Sequence, residues 1–249
     1  MHAKNESLTV VWCDNGGVDG LFMDGVLKTI LAMDSVGIKN VSSLRVHGNQ
    51  IGRQRQVAFD VWADKIKSDW ILWVDSDIVI SPEVFKKLWN SADKLSIPVI
   101  SGLYFISKQS ESSLMEPMPV IFNETEDEYL MEVVNNIPND QAFTVDYAGF
   151  GFVLMHKSII DPLRKVSPDY SLFAEKAHDT ENFVGEDISF FRNLKKAGIK
   201  LYVHSGAYVP HMKRFAYDIN YHNLYWSSLQ EGKINKKIEE NINEKTKKI

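Results

Sequence analysis

The apolar positions of this chain fall first into short unbroken runs and then into helical stripes. Leu8 to Trp12 is a brief, largely apolar run, the pattern of a strand covered on both faces. Asp14-Asn15-Gly16-Gly17 follows as a turn. Phe22, Val26, Ile30 and Met33 recur at helical spacing, predicting a helix over 22–36 capped by a left-handed Gly37. A second strand is expected over 42–46. Val57, Ala58, Val61 and Trp62 share a stripe of a helix over 50–67. Trp70-Ile71-Leu72-Trp73-Val74 is again continuous, and Ser81-Pro82 opens the next helix as N-cap and first helical residue. Residues 97–103 form the next expected strand. Strand and helix alternate throughout, which predicts an α/β fold built on a parallel sheet.

The regularity then breaks. Residues 107–119 are polar and include Ser110-Glu111-Ser112-Ser113, the composition of a mobile loop. Residues 120–122 and 129–134 are expected to pair as a hairpin. Residues 145–155 read as a strand bent at its glycines, and 161–178 as irregular. Asp187 to Ala197 is a helix closing at Gly198, followed by a short strand over 200–204. Beyond Glu231 the chain is Lys/Glu/Asn-rich, with Ile234, Ile238 and Ile242 spaced for an amphipathic helix, or else a frayed tail. The expected organisation is one domain over 1–230, with a donor half near 8–105 and an acceptor half near 106–215, plus a charged segment over 231–249.

Composition narrows the function classes. The 249 residues suffice for one sizeable core. A formal net charge of -5 argues against a nucleic-acid binder. No apolar run reaches transmembrane length, and 1–7 lacks the apolar core of a signal peptide. A lone cysteine, Cys13, excludes an internal disulfide. Together these predict a cytoplasmic protein whose membrane contact, if any, is peripheral.

Four segments carry candidate chemistry. The apolar run 70–74 ends in Asp75-Ser76-Asp77. Ligands of parallel sheets gather outside the carboxyl ends of strands. Acids two apart on an extended segment face one side and need water, a proton or a cation between them. That motif is either a metal grip on a phosphate or a solvated acidic loop. Gly185-Glu186-Asp187 opens a helix, where acids either complement the dipole or serve as a base. His211 follows a strand and is either structural or one imidazole of a mixed oxygen–nitrogen metal shell, which suits Mn²⁺. Arg53 and Arg55 open a helix against its dipole, a conflict that a bound phosphate would relieve. Tyr104, Tyr147, Gly149 and Phe150 are either a bent core strand with its neighbours or a surface for a sugar.

In this order the motifs resemble those of nucleotide-sugar-dependent glycosyltransferases of the GT-A fold, in the broad family-2-like group, from Leu8 to Met212. The resemblance implies one Rossmann-like domain, a mixed and mostly parallel sheet flanked by helices, and a C-terminal helical tail. It implies a donor-binding DxD motif at Asp75-Ser76-Asp77, with Asp75 near the donor ribose and counted with Asp77 among the metal ligands. His211 joins the metal ligands. Asp187 is the base of an inverting transfer, with Glu186 beside it, and the metal is Mn²⁺ or Mg²⁺. Arg53 and Arg55 lie near the nucleotide, and Tyr147, Gly149 and Phe150 lie on the acceptor-side strand, with Tyr104 as a further sugar-side candidate. The implied partners are a UDP- or GDP-linked sugar and a glycan or other hydroxyl acceptor. The first strand departs from the family pattern, ending Cys13-Asp14-Asn15, so only Asp14 or Asn15 is a candidate for a base or ribose contact. The competing readings are a haloacid-dehalogenase-like phosphatase, whose nucleophile strand matches Val74-Asp75-Ser76-Asp77-Ile78-Val79, and a non-catalytic nucleotide or glycan binder.

Overall fold

The computed structural model describes residues 6–108, 116–127, 129–167, 172–177 and 183–213, and a few positions between 219 and 230. The chain divides into two compact units, one of Met1–Ile106 with Met118–Met212, the other of Ser107–Pro117 with Lys213–Ile249. The expected helix over 231–249 lies outside the described residues, as do 109–115 of the polar loop.

The first unit opens with β1 (Glu6–Asp14), α1 (Gly20–Ala32), β2 (Ile38–His47), α2 (Ile51–Val61), β3 (Trp70–Val74), α3 (Pro82–Ser91) and β4 (Val99–Leu103). Short strands follow as β5 (Phe105–Lys108), β6 (Glu116–Pro119), β7 (Ile121–Glu124), β8 (Met131–Val133), β9 (Ala142–Val145) and β10 (Tyr147–Ala148). The chain continues with β11 (Phe152–His156), α4 (Ile160–Val166), β12 (Lys176–Ala177), β13 (Phe183–Val184), α5 (Glu186–Lys196) and β14 (Leu201–Tyr208). The central sheet has the order β2-β1-β3-β11-β4-β14-β9. β1, β2, β3, β4 and β14 run one way, and β11 and β9 run against them. The fold is α/β with a mixed, mostly parallel sheet between helices.

The unbroken apolar run of β3 has the expected cause. Ile71 and Trp73 enter one core cluster with Ala58 and Phe59 of α2 and Phe190 and Leu194 of α5. Trp70, Leu72 and Val74 enter the other, with Phe22 and Val26 of α1 and Phe85 and Leu88 of α3. Alternate side chains leave opposite faces of a strand, and helices cover both faces here. Each such side chain contributes about 1.5–3 kcal/mol on burial.

The helix ends follow local chemistry. Ser81 caps α3 with Pro82 behind it, Asp19 caps α1 by accepting from the Leu21 amide, and Gly37 takes the left-handed conformation at φ 89°. The stripe expected to be one helix over 50–67 changes pitch at Trp62–Ile66, a π-turn closed by Lys67 in the left-handed region. There the Trp62 indole is buried and donates to the Ser68 carbonyl and hydroxyl. Residues 120–122 and 129–134 contribute the antiparallel β7–β8 pair.

The expected mixed, mostly parallel sheet is present; its antiparallel member β11 runs between β3 and β4, pairing Phe152 with Val74. One expectation is corrected. The stretch 161–178 was expected to be irregular, but Ile160–Val166 is helical. Pro162 lies in its first turn, where a missing amide costs nothing, and Leu163 anchors it in the core. Among the described residues, no helix is long and apolar enough to cross a membrane.

One packing contact makes a direct test. A Cβ at Gly25 of α1 would lie 2.4 Å from the Ile80 carbonyl oxygen, a backbone atom with little room to yield. Gly25→Ala is expected to destabilise the fold by about 1–3 kcal/mol. A lowered urea midpoint with unchanged slope is the corresponding measurement.

Candidate active site

The acids that end β3 do not share one side of an extended segment. The strand stops at Val74, and residues 75–78 turn, with the Ile78 amide donating to the Asp75 carbonyl at 2.9 Å. The turn separates the two carboxylates: Asp75 meets Arg55, and Asp77 meets His211. Of the three expected metal ligands, Asp77 and His211 thus meet each other while Asp75 meets Arg55. Among the described residues no cluster of three or more His, Cys, Asp or Glu is placed to hold one cation.

His211 arrives by backbone pairing. Past β14, Val209 donates to the Leu103 carbonyl, Val79 to Pro210 at 3.0 Å, and Met212 to Asp77 at 2.7 Å. This ladder lays residues 209–212 along 77–79 and sets His211 Nε2 3.1 Å from Asp77 Oδ2. Nδ1 lies 3.1 Å from the Phe105 carbonyl, which only accepts, so Nδ1 carries a proton. The Tyr104 ring meets the imidazole edge-on at 5.4 Å and limits its rotation.

The second cluster forms around Arg55, only 4% exposed. Its Nη2 donates to both Asp75 oxygens at 2.9 and 3.1 Å, and Nη1 donates to Glu186 Oε1 at 2.6 Å. The Phe150 ring centroid lies 4.7 Å from the guanidinium carbon. Helix α2 reaches this depth through Gly52, where a Cβ would stand 2.6 Å from the Phe173 carbonyl and 3.2 Å from Glu186 Cβ. Arg53, two residues earlier, faces solvent. The expectation of two arginines beside a nucleotide thus divides, because helical rotation turns one inward and one outward.

Asp187 is half-buried at the start of α5, and one of its oxygens accepts from the Ile188 amide at 2.7 Å. Burial pushes its carboxyl up to about 6; Arg55 opposes that rise, whereas the charges of Glu186 and Asp75 add to it. An acid in this range is protonated or ionised near neutrality according to modest changes around it.

The remaining candidates are placed as follows. Asp14 is fully buried as a side chain, bound by Arg45 at 2.6 and 2.7 Å and by the Gly16 amide at 2.8 Å. The bond from Arg45 holds its carboxyl below the usual carboxylate range. Asn15 is exposed, and Ser76 is half-buried with its carbonyl accepting from Asp19 at 3.4 Å. Tyr104, Tyr147, Gly149 and Phe150 are all buried. Tyr147 donates to Glu124, and Phe150 packs among Trp73, Phe173, Phe190 and Phe191. Gly149 fits against Tyr104, whose hydroxyl would lie 1.9 Å from an added Cβ. Of these, Phe150 lies against Arg55 and Tyr104 against His211, while Tyr147 lies against Arg192. Arg45 escaped the sequence reading because its pairing with Asp14 depends on the β1–β2 register. A cavity of about 390 Å³ opens at the other end of α5, beside Asp146 and Lys195, away from the acids.

For the phosphatase reading, Asp75 would have to be a free nucleophile, whereas both its oxygens accept from Arg55.

Neither a protein-family model nor a curated protein matches the sequence. Solved structures do resemble the fold. The crystal structure of GalNAc-T7 with UDP, GalNAc and Mn²⁺ aligns with a TM-score of 0.56 at 14% identity, covering 84% of this chain and 43% of that one. A Drosophila beta-1,4-galactosyltransferase 7 mutant, in complex with manganese, UDP-Gal and xylobiose, aligns at 0.48, with 11% identity over 88% and 73% of the two chains. A197 from STIV aligns at 0.47, with 16% identity over 84% and 86%. Scores below 0.5 add nothing to the argument, and the chain spans less than half of GalNAc-T7. At such identity the likeness shows architecture alone, and that architecture is the mixed α/β sheet of the GT-A kind.

Proposed function

We propose that this chain is a metal-dependent glycosyltransferase, moving a sugar from a UDP- or GDP-linked donor to a hydroxyl of a glycan or other acceptor. The observation that carries this reading is the meeting of Asp77 and His211, 134 positions apart in the chain, at 3.1 Å. With Nδ1 on the Phe105 carbonyl, Nε2 is the ring nitrogen turned to the carboxylate, and the gap between them takes either a proton or a cation. One carboxylate oxygen and one imidazole nitrogen form a mixed donor set that suits Mn²⁺ and is tolerable to Mg²⁺. A backbone carbonyl on the far ring nitrogen, as Phe105 supplies here, commonly fixes the orientation of a ligating imidazole. A bound cation would supply neutralisation of the charge that develops on a departing diphosphate.

The rest of the chemistry falls to the protein's own groups. The acceptor oxygen forms a bond to the anomeric carbon as the bond to the donor phosphate oxygen breaks, and Asp187 takes the hydroxyl proton. Glu186 is a poorer base because one of its oxygens already accepts from Arg55. A carboxyl near 6 is matched to proton abstraction at neutral pH. Attack from the face opposite the diphosphate inverts the anomeric centre, which NMR of the product reads directly.

The test is thermal stabilisation by UDP and GDP with and without Mn²⁺. At a hundredfold excess over its dissociation constant a ligand adds about 2.7 kcal/mol. One nucleotide is expected to raise the midpoint only when Mn²⁺ or Mg²⁺ is present. No shift with either nucleotide and either metal would overturn the proposal.

A further inference from the structure

We infer that Arg55 is a positioning residue that ties the turn at Asp75 to the helix bearing Asp187, and is not a ligand for donor phosphates. The inference rests on the glycosyltransferase reading for its kinetics but on geometry for its substance. The guanidinium already donates to both Asp75 oxygens and to Glu186, carboxylates 20 and 131 positions away in sequence. It is 4% exposed and has the Phe150 ring at 4.7 Å. A phosphate could reach it only by displacing a carboxylate inside the protein, leaving that acid buried and unpaired.

Both partners sit beside working residues. Asp75 begins the turn that aims Asp77 at His211, and Glu186 immediately precedes Asp187. A planar fork can grip both carboxylates at once, and it fixes the donor-side turn and the base-bearing helix in one geometry. The groups surrounding this charge are Asp75, Glu186, Asp187, Cys13 and Tyr104; burial holds the thiol and the phenol protonated. Arg55 is thus the cation that limits how far the upward shift of Asp187 goes. Lysine keeps the charge but cannot fork.

The experiment compares Arg55→Lys with wild type, and adds Arg55→Met if it folds. Nucleotide affinity with Mn²⁺ is expected to fall by less than kcat does, because the donor-side turn loosens but no phosphate contact is lost. At saturating donor kcat is expected to fall by about tenfold or more, since the base loses its geometry. The acid limb of the pH–rate profile is expected to move to higher pH in Arg55→Met, where Asp187 loses its neighbouring cation, and to stay in place in Arg55→Lys, which keeps the charge. A merely structural arginine would leave that limb in place. Loss of nucleotide affinity by tenfold or more, with kcat unchanged, would make Arg55 a phosphate ligand and overturn the inference. An unmoved limb in Arg55→Met would overturn it equally. If wild type transfers no sugar, the functional reading fails separately, and a double-mutant cycle still tests the clamp. Thermal midpoints of Arg55→Lys, Glu186→Gln and the double variant should be non-additive. Additive midpoints would reject it.

Discussion

Asp187→Asn is expected to lose about 10²–10⁴-fold in transfer rate while binding nucleotide and Mn²⁺ as wild type does. The amide keeps the shape of the carboxylate but cannot accept the acceptor's proton. The same group fixes the pH dependence. Its carboxyl is raised from 3.8 to about 6, so wild-type transfer should climb through pH 6 and level off above it. Stability runs the other way. An acid whose folded value lies above its unfolded one favours the fold when protonated, so stability falls as pH rises from about 4 to 6. Above that window the cost is complete, on the order of 1–3 kcal/mol. Asp187→Asn is therefore expected to be more stable than wild type at pH 8 and to match it near pH 4. Denaturant midpoints at the two pH values measure this. Wild-type turnover in the variant would remove Asp187 from the reaction.

The second large effect concerns the opposite side of the turn. Asp77→Asn and His211→Ala should each abolish the Mn²⁺-dependent part of nucleotide binding, a loss of at least about 100-fold if each supplies a ligand. Combining them should add little, because a site missing one of two protein ligands has already failed. Titration calorimetry of nucleotide with and without Mn²⁺ provides the readout. Metal-dependent binding that survived in both single variants would eliminate the proposed cation site.

Much of this was legible before the fold. The β3 run, the Ser81-Pro82 helix start and the Gly37 stop are written in local chemistry, so they appear where the pattern places them. The acids at 75–77 and 186–187 and His211 were legible as residue types at expected elements. Their partners were not. The turn after Val74 sends Asp75 and Asp77 to different neighbours, although alternation along an extended chain would have joined them. Tyr147 and Phe150 carry the composition of a ligand surface, yet both are buried, Phe150 against Arg55 and Tyr147 against Arg192.

The sequence by itself determined the buried β3 run, the start of α3 at Ser81-Pro82 and the stop at Gly37, and which side chains are available for acid–base or metal chemistry. Those features depend on periodicity and capping within a few residues. Only the tertiary structure decided that β11 lies antiparallel beside β3, that Arg55 turns inward between two carboxylates, and that His211 reaches Asp77. Each of these is a pairing between distant segments. Strand register and helix rotation in the packed core set such pairings, and no local pattern encodes either.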